Sequence, residues 1–197
     1  GLSAPLMLLG LWPLAVLLLA AAWMAGDGGL EAAMRRMVES VLLRLGVPAN
    51  EMLVGTVVRI NAAAFGLIAA TALVLNGVAA QRWLARRGLA RAAVPDLRGL
   101  RLPGWYPLLP LLPAAAFVAA PAGSDAVALS ALLLVLLPAF FLGVAGVHLR
   151  ASGRPGRLPM LSIFYLLLVV FLQFMAPAMV ALGLFDHFRR GNAARPT

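Results

Sequence analysis

Five stretches of this chain contain no Asp, Glu, Arg or Lys: residues 1–26, 60–81, 102–124, 126–149 and 158–185. Each is at least 22 residues long. A helix rises 1.5 Å per residue, so about 20 apolar residues cross the roughly 30 Å hydrocarbon layer of a bilayer. The gaps therefore predict five spans, at about 4–25, 54–78, 104–121, 126–148 and 159–183. The chain is 63% hydrophobic and 12% charged, whereas soluble domains average about 45–50% apolar and 25% charged residues. A transmembrane β-barrel would alternate over segments of about ten residues, and no such alternation occurs. The expected fold is all-α: a polytopic transmembrane helix bundle forming a single domain over 1–190, with a disordered tail at 191–197.

The segment 30–45, LEAAMRRMVESVLLRL, differs from the spans. Leu30, Met34, Met37, Val38, Val41 and Leu45 recur at helical spacing, with Glu31, Arg35, Arg36, Glu39 and Arg44 mostly opposite. This predicts an amphipathic helix, either lying in the membrane interface or closing a cavity as a lid. Glu31–Arg35 and Arg35–Glu39 have the spacing of i,i+4 ion pairs. Gly46 and Pro48 predict its end. Pro107, Pro110 and Pro113 predict a broken helix in the third span, since proline lacks the backbone donor, and Trp105-Tyr106 reads as its interfacial anchor.

Orientation follows from arginine, because cytoplasmic loops of membrane proteins are rich in Lys and Arg. All 16 basic residues are Arg, giving a net charge of +9. Residues 82–103 carry Arg82, Arg86, Arg87, Arg91, Arg98 and Arg101 against one acid, Asp96. Arg150, Arg154 and Arg157 mark a second cytoplasmic loop at 149–158. The 27–51 connector and the 121–125 turn are expected outside. Five spans then place the C-terminal tail outside too, despite Arg189, Arg190 and Arg195; only a re-entrant segment could place it inside. In this setting the basic balance reports topology, and no nucleic-acid partner is expected.

Several chemistries are excluded or disfavoured. Without cysteine, thiolate catalysis and Cys-ligated metal cannot occur. Without lysine, the chain cannot itself be a P-loop ATPase. No carboxylate lies within a predicted span, which disfavours a proton relay. His148 and His187 stand at helix ends with no metal-binding spacing. The chain is therefore read as a non-enzyme with no cofactor and no metal.

What remains are polar groups in apolar surroundings. Arg59 and Asn61 begin the second span, and Gln173 lies within the fifth, near Ser162 and Tyr165. Arg59, Asn61, Gln173 and Tyr165 are the ligand-binding candidates. The competing readings are that Arg59 snorkels to the outer interface and that Asn61 and Gln173 are packing amides. Ala62, Gly66 and Ala70 form a small-residue row that lets another helix approach. Arg82, Arg86, Arg87 and Arg91 are the candidates for binding a partner.

Asn76 with Gln81-Arg82, Pro95-Asp96-Leu97, Leu100-Arg101-Leu102-Pro103, the run ALLLVLLPAFFLGVAGVH at 131–148 and the closing ALGLFDHFRR at 181–190 carry a resemblance. Over most of 50–190 the chain resembles the YybS-like family of bacterial membrane proteins, a domain of unknown function. Members of that family are longer, with further spans before this region. The resemblance implies a distant likeness to the substrate-binding S components of energy-coupling factor transporters, which capture small molecules and dock on a separate ATP-driven module. It implies a bacterial inner-membrane location and a capture or transport-related role. No S-component ligand motif is matched. The alternative reading is a non-catalytic membrane scaffold that recruits a partner through its arginine-rich loop.

Overall fold

A computed structural model describes residues 3–89, 100–121 and 125–193. All regular elements among them are helical. The α-helices are α1 (Ser3–Trp23), α2 (Gly29–Arg44), α3 (Glu51–Arg86), α4 (Leu111–Ala119), α5 (Ala126–Ala151), α6 (Arg157–Val170) and α7 (Leu172–Ala193). Short 3-10 turns at Met24–Asp27 and Tyr106–Leu108 complete the set.

Three segments are long and apolar enough to cross a membrane: Ala4–Gly26, Glu51–Arg86 and Ala126–Ala151, with mean hydropathy 2.2, 1.9 and 2.6. A bent helix pair, Arg157–Val170 with Leu172–Arg189, would make a fourth if it counted as one span. The chain is a multi-span helical membrane protein. Its many exposed large apolar side chains, among them Leu19, Trp23, Val118, Leu158 and Val169, are what a lipid-facing surface requires and what a water-facing one avoids.

The spans differ from the sequence expectation in three places. The second does not stop near residue 78. Residues 79–87, AAQRWLARR, contain no helix breaker, so α3 continues to Arg86, a length of about 54 Å. It ends in a Schellman motif: Gly88 takes φ 69°, its N–H bonds the Ala85 carbonyl, and the Leu89 N–H bonds the Leu84 carbonyl. Second, the prolines of 104–121 do break that segment. It forms a 3-10 turn, a bend and the nine-residue α4, which rises only about 14 Å. Third, the expected fifth span is two helices. The chain breaks at Phe171 (φ −114°, ψ 37°), and α6 and α7 are bent by 118°. No residue at the break is a proline or glycine, which is why periodicity did not show it. Residues 191–193, expected in a disordered tail, belong to α7.

By its contacts the chain divides into two compact units. One comprises 1–8, 78–107 and 136–197; the other comprises 9–77 and 108–135. α5 supplies core residues to each. Buried residues make up 56% of its apolar window, against 22% in α1 and 17% in α3, as befits a helix apolar on all sides.

In the first unit, Tyr106 is fully buried and its hydroxyl accepts the Ala139 N–H at 3.3 Å. It is thus a core residue rather than the interfacial anchor its place beside Trp105 suggested. Ala139 directly follows Pro138, the proline inside α5. α5 and α7 pack backbone to backbone through glycine. A Cβ on Gly143 would overlap the Met179 carbonyl, and one on Gly183 would overlap the Ala139 carbonyl. A Cβ on Gly146 would lie 2.6 Å from Asp186 Oδ2 and 2.7 Å from Arg150 Nη1, so that glycine makes room for an ion pair.

In the second unit, α2 packs Val38 with Val54, Val58 and Ala126. Asn50 caps α3, its side-chain oxygen accepting the Leu53 N–H at 2.7 Å. Arg35 bridges to Glu51 at 2.6 Å, rather than to Glu31 or Glu39 as the i,i+4 spacing allowed. Glu51 is 83% exposed, so the bridge stabilises little.

Candidate functional site

A pocket of about 370 Å³ lies within the second unit, lined by α1, α2, α3 and α5. Each wall has a reason in the sequence. Pro13 and Leu134 approach α3 at Gly66, where a Cβ would lie 3.4 Å from Pro13 and overlap a Leu134 methyl. The small-residue row read at Ala62, Gly66 and Ala70 is thus a site of close helix approach. On the other side, Leu30, Met34 and Met37 of the α2 apolar face line the pocket. Methionine is unbranched and polarizable, and suits a wall that adapts to its occupant. Asn61 and the Trp12 indole are the polar side chains of a lining that also includes Phe65 and Ala69. One amide in an apolar pocket can orient a ligand without binding it by charge.

The four ligand candidates divide two and two. Arg59 and Asn61 belong to the second unit, Tyr165 and Gln173 to the first. Asn61 lines the pocket; Arg59 does not. The Arg59 guanidinium instead grips Asp125 in a two-point ion pair, Nε to Oδ1 at 2.9 Å and Nη2 to Oδ2 at 2.6 Å. Its backbone carbonyl accepts the Ser130 hydroxyl at 3.0 Å. The Asp125 side chain is 10% exposed and that of Arg59 45%. Asp125 directly precedes α5, where the helix dipole favours an anion. Arg59 is therefore a tie between α3 and the start of α5.

Tyr165 of α6 shares a 2.7 Å hydrogen bond with His148 of α5, its direction set by the imidazole tautomer. Gln173 is exposed at the start of α7, beside the Phe171 break. Ser162 is exposed as well. A second two-point ion pair joins Arg150 Nη1 and Nη2 to Asp186 at 3.0 and 2.7 Å, with Asp186 side chain 8% exposed.

Arg82, Arg86 and Arg87 are exposed on and just after the last turns of α3. The Arg87 guanidinium stacks 4.3 Å above the Trp83 ring. Arg91 and Pro95-Asp96-Leu97 lie outside the described residues. Among the described residues, no group of three or more His, Asp or Glu could hold a metal ion.

Sequence reasoning missed Trp12 as part of a pocket lining, whereas the lid alternative for the 30–45 helix matches the place of Met34 and Met37 in the pocket wall. It also missed Asp125 as the partner of Arg59. A signal existed for the latter: both charges flank apolar gaps, and both were expected on the outer side.

Fold and site together define a multi-span helical membrane protein with an apolar pocket. Compared with known proteins, the chain matches no protein-family model, no curated protein and no solved structure.

Proposed function

We propose that this chain is a bacterial inner-membrane protein that captures a small, largely apolar molecule bearing one hydrogen-bonding group. The observation that carries this reading is the α1–α2–α3–α5 pocket, apolar throughout except for Asn61 and the Trp12 indole. Its volume falls in the range of small-molecule sites. α2 acts as its lid, laying Leu30, Met34 and Met37 against it. The absence of a membrane-embedded carboxylate relay favours capture over proton-coupled pumping. The YybS-like resemblance points the same way, with a separate ATP-driven module as the docking partner and no catalysis by this chain.

Native mass spectrometry on protein gently extracted from its own membrane tests the pocket. The wild type is expected to retain a small molecule. Ala69→Phe fills the pocket without adding polarity and should abolish retention. Asn61→Ala should weaken affinity by up to about tenfold, the worth of one hydrogen bond in an apolar site. A wild type that emerges bare, or a phospholipid retained equally by wild type and Ala69→Phe, would sink the proposal.

One observation favours a second reading, a scaffold without a ligand. Arg82, Arg86 and Arg87 stand exposed at the end of a helix that continues about two turns past its expected span. If they recruit an acidic partner, changing all three to Gln abolishes co-purification of that partner while the melting profile stays put. Undiminished co-purification would remove the arginines from consideration.

A further inference from the structure

The α6–α7 pair can be one bent span, ending on the far side of the membrane, or a hairpin that turns back. Four observations, all within the first unit, decide between them. The first is direction. A bend of 118° sends α7 backward relative to α6. α6 has 14 residues and α7 has 22, so they rise about 21 and 33 Å along their own axes. Only about half of the α7 rise projects back along α6, roughly 16 Å by the same geometry. That returns its end to within several ångströms of the level at which α6 began.

The second is the ion pair. Arg150 stands one residue before the end of α5, next to the arginine-rich 149–158 loop, and it holds Asp186, about two turns before the end of α7. The salt bridge brings this part of α7 within an arginine side chain's reach of the end of α5. The third is the glycine-lined crossing, where Gly143 meets Met179, Gly183 meets Ala139, and Gly146 leaves room for Asp186 beside Arg150. It seats the Asp186 part of α7 against the last turns of α5, which run toward the 149–158 loop.

The fourth is the turn itself. Val169, Val170, Phe171, Leu172 and Phe174 are all exposed, at 77, 62, 48, 39 and 67%. A turn in water would not present five large apolar side chains. The Phe171 N–H bonds the Leu167 carbonyl, and the Phe171 carbonyl accepts N–H groups from Phe174 and Met175.

We propose that α6 and α7 form a re-entrant hairpin whose Phe171 apex faces lipid acyl chains and whose C-terminal end returns to the side of the 149–158 loop. This reverses the sequence expectation that the tail lies outside. It also removes the conflict with the inside rule for positive charge, because Arg189 and Arg190 join Arg150, Arg154 and Arg157 on one side.

The sequence holds no cysteine, so single introduced cysteines give an unambiguous reading. Ser152→Cys and Asn192→Cys are treated with a membrane-impermeant maleimide, in intact cells and in inside-out vesicles. Both positions are expected to react in the same preparation only. Reaction of the two in opposite preparations would overturn the hairpin. Phe171→Cys is expected to resist the reagent in both preparations; ready reaction in either would overturn the lipid-embedded apex. If Asn192→Cys accumulates poorly, Arg189→Cys asks the same question one turn earlier.

Discussion

Alanine at Gly143 or at Gly183 is expected to lower the stability of the detergent-solubilised protein by about 3 kcal/mol or more, the upper range for overpacking a tight contact. The reason is what the added methyl would meet. At Gly143 it is the Met179 carbonyl, and at Gly183 the Ala139 carbonyl, with the Gly143 nitrogen 3.0 Å away. Backbone cannot rotate aside as a side chain can, so α5 and α7 would have to separate along their crossing. Gly66 is the contrast: its added methyl meets the flexible end of Leu134, and Gly66→Ala should cost much less. Gly77, with nothing within 4 Å of an added Cβ, should gain about 0.5–1 kcal/mol from alanine through helix propensity. Thermal or denaturant unfolding of the four variants measures the ranking. A Gly183→Ala protein as stable as Gly77→Ala would show that α5 and α7 do not cross here.

Breaking the Arg59–Asp125 pair should have the next largest effect, and an asymmetric one. Removing one partner of a buried pair costs about 3–5 kcal/mol. The half-exposed guanidinium warrants a discount, leaving about 2 kcal/mol for Arg59→Met, which strands a carboxylate that is only 10% exposed. Asp125→Asn should cost less, because the freed Arg59, 45% exposed, can still reach water or headgroups. The Arg59→Met, Asp125→Leu double variant should recover much of the loss, since apolar replacement of both ions leaves no uncompensated charge. A double-mutant cycle on unfolding free energies reads all three. Equal costs for the two single variants would mean that Asp125 is better solvated than its burial implies. Because Arg59 does not line the pocket, none of these changes should alter the affinity of a retained small molecule.

The class of the molecule was legible in the linear pattern. Three of the five charge-free gaps form helices long and apolar enough to cross a membrane, because hydrocarbon thickness and helix rise are fixed. The break in 104–121 was also legible, since proline removes a donor locally. The close approach at Gly66 could be read from its small-residue row, though its partners could not. The break at Phe171 was hidden because Val-Val-Phe-Leu carries no helix-breaking residue; an apolar run looks alike whether it continues straight or bends. Asn61 was marked by being polar where apolar residues prevail, but the pocket beside it depends on four helices meeting.

By itself, then, the sequence determined that the chain is helical, that it belongs in a membrane, and where its polar exceptions fall. Those properties follow from local composition and the bilayer acting as solvent. Tertiary structure alone decided which exceptions pair. It matched Arg59 with Asp125, 66 residues away, and Arg150 with Asp186, leaving Asn61 facing the pocket. It also decided that α7 crosses α5 at Gly143 and Gly183. Such pairings depend on how helices approach in space, and between helices of nearly uniform apolar sequence only glycine contacts and charge pairs discriminate one approach from another.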